Sequence, residues 1–380
     1  MADVKTKLRE LSVGAAIGVI QDSSHSYELV DLQSSDTFFD CVSTYIKNID
    51  KGVVDSLRNV RFSAELLDII RNGIQLAQKI TADRFFQLPL NPKIYWLGNN
   101  TQKDDPVDLR VDKYGFSLKE DSFILENMGL YKLLNCYTGS QYEKRHIFED
   151  YAQEEYNEWF TITWKEMYHF LTTASEWDYN DYGKQKTSII RLEDNAKIIF
   201  IYQEGGELPL TVSLPIDCSL DIFKSSTNSK LREQVFSRFI NDCLKNNNNY
   251  NNAKKHCSEV AAENLARELN EKLDYSAGIA RFLRVHDEEY YYAKTTKNGV
   301  EIFRVPALAD FTNEISIESI VASVPDTQAN ILTTIKNNIT GKKLILRNEC
   351  RFSHGQFNGT PEAKMYYERG GSLETIYQSI

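Results

Sequence analysis

An acid, a hydroxyl and a lysine stand close together in P-V-D-L-R-V-D-K-Y-G-F-S-L-K-E, residues 106–120. Val107, Leu109 and Val111 alternate with Asp108 and Arg110, and beyond the polar stretch 112–115 Phe116 and Leu118 alternate with Ser117 and Lys119. Alternation on both sides of a turn spells a β-hairpin. With Val111 opposite Phe116, the expected pairs are Arg110 with Ser117 and Asp108 with Lys119, all four on one polar face. A carboxylate there can hold a divalent ion that acidifies a bound water and neutralises a phosphate under attack. The lysine can orient or deprotonate that water and stabilise the charge that builds up. Oxygen ligands favour Mg²⁺, with Mn²⁺ as a substitute, over zinc. The plainer alternative is an exposed hairpin whose Asp–Lys pair contributes only ~0.5 kcal/mol.

Such a hairpin needs elements to hold it. Leu66, Ile70, Ile74 and Ala77 recur at helical steps within a helical pattern over 53–80, with Glu65 and Asp68 on its polar flank. Lys93-Ile94-Tyr95-Trp96-Leu97 reads as a strand leading through a polar loop into the hairpin, and Ser122 caps a following helix through Leu133 and Leu134. The order is helix, strand, strand–turn–strand, helix.

P-V-D, a short hairpin, S-L-K and a helix with L-Y-K-L-L-N, after a strand I-Y-W-L-G, resemble the PD-(D/E)xK nuclease superfamily, type II restriction endonucleases especially. The resemblance spans roughly residues 55–140. It implies an α/β restriction-endonuclease-like core, a central mixed sheet flanked by helices. It also implies Asp108 as the metal-binding aspartate and Lys119 as the catalytic lysine. Ser117 stands where the family usually has a second acid, and some S-x-K members move that carboxylate to a neighbouring helix. Glu65 and Glu126 are the candidates, with Glu65 preferred as the second metal ligand.

The remaining chain is read as additions. Residues 142–182, ten acids against three Lys or Arg and rich in Tyr and Trp, form a helical insertion around Trp159–Leu171. Residues 1–225 are taken as the nuclease core carrying this insertion, and 226–380 as a helical plus β-rich recognition part. Within the latter, N-N-N-N-Y-N-N (246–252) is expected as a loop between two helices. Arg347, Arg351, His354, Gln356 and Asn358 offer the donors and acceptors that read base edges, and Lys342 and Lys343 suit phosphates.

A net charge of −10 argues against bulk attraction to nucleic acid but leaves room for a local basic cleft. Six scattered cysteines without a C-x-x-C pair point to reduced thiols rather than zinc. With no signal-like start and no apolar run of spanning length, a cytoplasmic protein without a membrane partner is expected.

The combined expectation is an Mg²⁺-dependent, sequence-specific endonuclease cutting double-stranded DNA. It would be a homodimer accompanied by a DNA methyltransferase. The alternatives are a repair, recombination or phage nuclease, or a DNA-binding protein with a degenerate core.

Overall fold

The computed structural model describes residues 4–380 apart from 61, 99–105, 120–129, 144–145, 195, 275–276, 297–298 and 353. Helix α1 (Val4–Gln21) is apolar on nearly every side, and from Lys7 to Val19 only Arg9 escapes full burial. An all-round apolar helix must be wrapped by others. It is wrapped here by α2 (Ser35–Tyr45) and α4 (Ala64–Ala82), with α3 (Lys51–Arg58) packed on α2 in the same helical layer. The single helix expected over 53–80 is therefore two. The break falls where the Ser63 hydroxyl accepts from Leu66 N and starts α4 afresh.

Strands β1 (Ile94–Trp96), β2 (Leu109–Val111) and β3 (Tyr114–Lys119) form an antiparallel meander. Leu109, Val111, Phe116 and Leu118 face the helical layer and share its core. The chain then departs through α5 (Leu130–Thr138), α6 (Ile147–Tyr151) and α7 (Gln153–Ala174). It builds a four-stranded antiparallel sheet from β4 (Glu176–Asp181), β5 (Lys186–Glu193), β6 (Lys197–Glu204) and β7 (Leu210–Pro215). The α7 rings of Trp159, Phe160 and Trp164 are buried inside the molecule, so the aromatic content of this region is spent on core packing. After α8 (Leu220–Ser226) comes a helical run over 229–244 with two π-helical stretches.

The asparagine-rich stretch forms no long loop. Asn247 caps the helix Asn248–Glu271 by accepting from Tyr250 N, and the Asn247 and Asn249 amides both donate to Glu166. Capping and a carboxylate partner outweigh the poor helix propensity of asparagine.

The chain next returns to the first sheet. β8 (Tyr290–Thr296) lies parallel to β3, with Lys119 beside Lys294, and β9 (Gly299–Val305) pairs antiparallel with β8. A third sheet, antiparallel throughout, holds β10 (Ile315–Ser323), β11 (Ala329–Asn337), β12 (Lys343–Arg351) and β13 (Glu362–Tyr367). β14 (Gln378–Ser379) then joins β9, completing a six-stranded mixed sheet ordered β1-β2-β3-β8-β9-β14. Among the described residues the protein is thus α/β, with one mixed sheet, its helices and two antiparallel sheets. The expected division at residue 225 does not follow the mixed sheet, half of whose strands come from beyond it. No helix among the described residues is long and apolar enough to cross a membrane.

Candidate active site

The hairpin turns on two residues, Asp112 and Lys113, with Asp112 at φ 49°. Leu109 stands opposite Phe116, Arg110 opposite Gly115 and Val111 opposite Tyr114. The expected register is corrected by two residues. A two-residue loop suits the strand twist, and Tyr114 gains ring contacts with Phe86 and Tyr291. Because side chains alternate with period two, a slip of two leaves the paired residues on their expected faces, whereas Val107, beyond the regular pairing, turns to the opposite face and packs over Gly115.

Regular pairing stops at Leu109. Asp108 N still donates to Phe116 O, and Asp108 O accepts from Leu97 N. The Asp108 carboxylate, however, sits where β2 and β3 part. Its Oδ2 accepts from Leu118 N at 2.7 Å, Lys119 Nζ at 2.9 Å and Ser117 Oγ at 3.5 Å. An acceptor from the side chain thus serves a backbone amide of β3, and the lysine, 39% exposed, closes over it. The Asp–Lys association is present, but it runs diagonally across the fork rather than straight across a rung.

A second carboxylate reaches this fork from an unexpected place. Glu10 of α1 is 2% exposed, and its Oε2 accepts from Trp96 Nε1 at 2.7 Å. Burial, and then the negative charge of Asp108, push its pKa up to about 7, while the Trp96 bond, Lys119 and Arg9 pull the other way. Its position is set from several sides. A Cβ on Gly73 of α4 would lie 1.8 Å from Ser12 Oγ, so α1 and α4 cross in close contact. A Cβ on Gly98 would lie 2.0 Å from Glu10 Oε2, so only glycine leaves room for the carboxylate there. Trp96 is itself fixed by Asn48, whose amide donates to Trp96 O and accepts from Trp96 N, each at 2.7 Å.

The other expected site residues are dispersed. Glu65, preferred as the completing acid, is 66% exposed on the first turn of α4 and paired with Lys5. A glutamate in the first turn of a surface helix end is adequately explained by the helix dipole and that pair. Glu126 falls within 120–129, outside the described residues. Arg347, Arg351, Lys342 and Lys343 lie on or beside β12 of the third sheet. Arg347 lies over the Tyr366 ring with Glu349 and Glu368 nearby, and Lys343 pairs with Glu318. His354 is 70% exposed, 3.8 Å from Glu233. Gln356 gives its backbone carbonyl to Ser237 Oγ. Asn358 is buried, accepting from Arg232 Nε and donating to the carbonyls of His354 and Ser229, so its amide is spent on shaping the loop.

Glu10 was legible in one respect. It heads an apolar helical stripe with Val13, Gly14 and Ile17, and an acid on such a stripe is either paired or employed.

Two hard carboxylates, held close enough for one to raise the other's pKa, suit a small divalent cation. Neither Asp108 Oδ1 nor Glu10 Oε1 has a partner among the described residues. No group of three or more His, Cys, Asp or Glu poised for a metal occurs among them, so an ion held by these two acids would retain water. Compared with protein-family models, curated proteins and solved structures, the chain finds no match.

Proposed function

We propose that the protein is a Mg²⁺-dependent nuclease with a restriction-endonuclease-like core, cutting double-stranded DNA at a specific sequence. The carrying observation is the fork itself. Asp108, Lys119 and a buried Glu10 meet there, and Glu10 is driven toward protonation unless a cation joins it. A protein that only bound DNA would have no use for that electrostatic cost, so the arrangement favours catalysis over a degenerate core.

Asp108 and Glu10 would hold the ion, which supplies charge neutralisation at the phosphate and a more acidic water. Lys119, anchored on Asp108, presents an ammonium to the attacking water and to the phosphate oxygens as their charge grows. The Leu118 amide and Ser117 hydroxyl steady the Asp108 carboxylate, and Trp96 steadies that of Glu10. A two-fold homodimer on a palindromic target, and a companion methyltransferase, belong to the same proposal.

Plasmid digestion with Mg²⁺, with EDTA, and by Asp108→Ala, Lys119→Ala and Glu10→Gln variants tests it. Discrete fragments from the wild type, absent with EDTA and lost in each variant, are expected. Metal-independent cutting, or undiminished cutting by the Asp108 or Lys119 variant, overturns the assignment.

A further inference from the structure

A cavity of about 360 Å³ opens against the chain that leads into Asp108, lined by Pro106, Arg110, Arg281, His286, Asp287 and Glu288 among others. Its inner wall includes Tyr290, whose hydroxyl donates to Arg284 O. Arg110 is two residues beyond Asp108, on β2 opposite Gly115, and Val107 and Tyr290 occupy the space where a side chain at 115 would lie. Pro106, Val107 and Arg110 bracket Asp108 in the chain, so the cavity lies beside it.

Its charges are arranged for exchange. Arg110 donates to Glu288 at 2.8 Å, but the two differ sharply in exposure, 32% for the arginine and 72% for the glutamate. The guanidinium is rooted in the sheet, and the carboxylate is a solvent-borne arm that can swing away. Arg281 is exposed and makes no ion pair among the described residues. His286 supplies a further polar ring, and its carbonyl accepts from Leu308 N, which fixes the loop. Two arginines offer planar forks matched to a tetrahedral oxyanion, and the bidentate arginine–phosphate contact is stronger than an exposed carboxylate pair. Asp287 and Glu288 balance the charge of the two arginines.

The geometry points to a phosphate-binding pocket, built by Arg110 and Arg281, that takes a nucleic-acid phosphate next to the one attacked at Asp108, with Glu288 as the stand-in anion displaced on binding. The inference rests on the nuclease proposal for its ligand, but its measurement does not require cutting. The probes are a 5′-phosphorylated thymidine dinucleotide and the same dinucleotide without its terminal phosphate, titrated calorimetrically in EDTA. Wild type is expected to bind, the Arg110→Gln/Arg281→Gln double variant at least ten-fold more weakly, and Glu288→Gln several-fold more tightly. Equal binding of both probes identifies an internal phosphate as the ligand, and binding of the phosphorylated probe alone identifies a strand end. Absence of wild-type binding at millimolar probe, or affinity unchanged in the double variant, overturns the pocket. Thermal melts of the variants separate loss of the pocket from loss of fold. Arginine-dependent binding without plasmid cleavage would leave the pocket standing and remove the nuclease. Asp108-dependent cleavage with arginine-independent binding would do the reverse.

Discussion

Replacing Glu10 with glutamine isolates the central feature of the site, because it keeps the acceptor for Trp96 and removes the charge. In the metal-free protein the folded-state pKa of Glu10 is raised from 4.5 to about 7, by burial first and by Asp108 second. Below 4.5 folded and unfolded chains both carry the proton, and the raised pKa costs nothing. Between 4.5 and 7 the folded protein keeps a proton that the unfolded chain releases, so wild-type stability falls as pH rises, and above 7 the loss is complete. At about 1.4 kcal/mol per pH unit the ceiling is about 3 kcal/mol. Glu10→Gln carries no such loss. In EDTA its stability advantage over wild type should therefore grow as pH rises from 4.5 to 8, as followed by urea denaturation. Mg²⁺ should stabilise the wild type at pH 8 and leave the variant nearly unmoved, while the variant no longer cuts DNA. A wild-type-to-variant difference that does not change with pH would refute the placement of Glu10 beside Asp108 in a buried fork.

Three further outcomes follow from neighbouring geometry. Gly98→Ala should displace the Glu10 carboxylate and depress Mg²⁺-dependent cleavage, with circular dichroism unchanged, and full activity in this variant would show that the close approach is not needed. His146 accepts from Glu149 N and bonds Gly359 O, and burial together with Lys224 lowers its pKa to about 4. Its stabilising effect is complete above the ordinary value of 6.5 and is lost as pH falls toward 4. An NMR titration with a midpoint near 6.5 would contradict this. Asn358→Ala strands Arg232 Nε and frees the 354–360 loop, and should cost about 1–3 kcal/mol by chemical denaturation, a loss absent if the loop amide is dispensable.

The hairpin could be read from sequence because its information is local. Alternation sets the faces of the paired residues, and a slip of two leaves them intact, so the association of Asp108 with Lys119 survives a change of rung. Nothing local ties residue 10 to residue 108. That link is made by the crossing of α1 over α4 and by the opening at Gly98, both products of packing. Glu65 is expected because the resemblance puts the missing carboxylate on a neighbouring helix, yet the first turn of α4 directs it to Lys5. The asparagine run shows the opposite failure, where local propensity pointed to a loop and partners 80 residues away, chiefly Glu166, made a helix. Recognition residues were judged by side-chain type alone, and type does not reveal that Asn358 is committed to its own loop.

The parallel pairing of β3 with β8 also has a bearing on synthesis. The strand that carries Lys119 is hydrogen-bonded on one side to its hairpin partner and on the other to residues 291–294. A ribosome must add some 170 residues, including the whole second sheet, before that neighbour exists, and so distant a contact is slow to close. Until then β3 ends in an unpaired edge, and the fork that sets Asp108 against Lys119 lacks one of its walls. A chain interrupted before residue 290 would carry every proposed catalytic residue and still lack the scaffold that aligns them. Under the proposed nuclease function, assembly of the site would wait on the far end of its own message, and incomplete copies would lack the aligned fork.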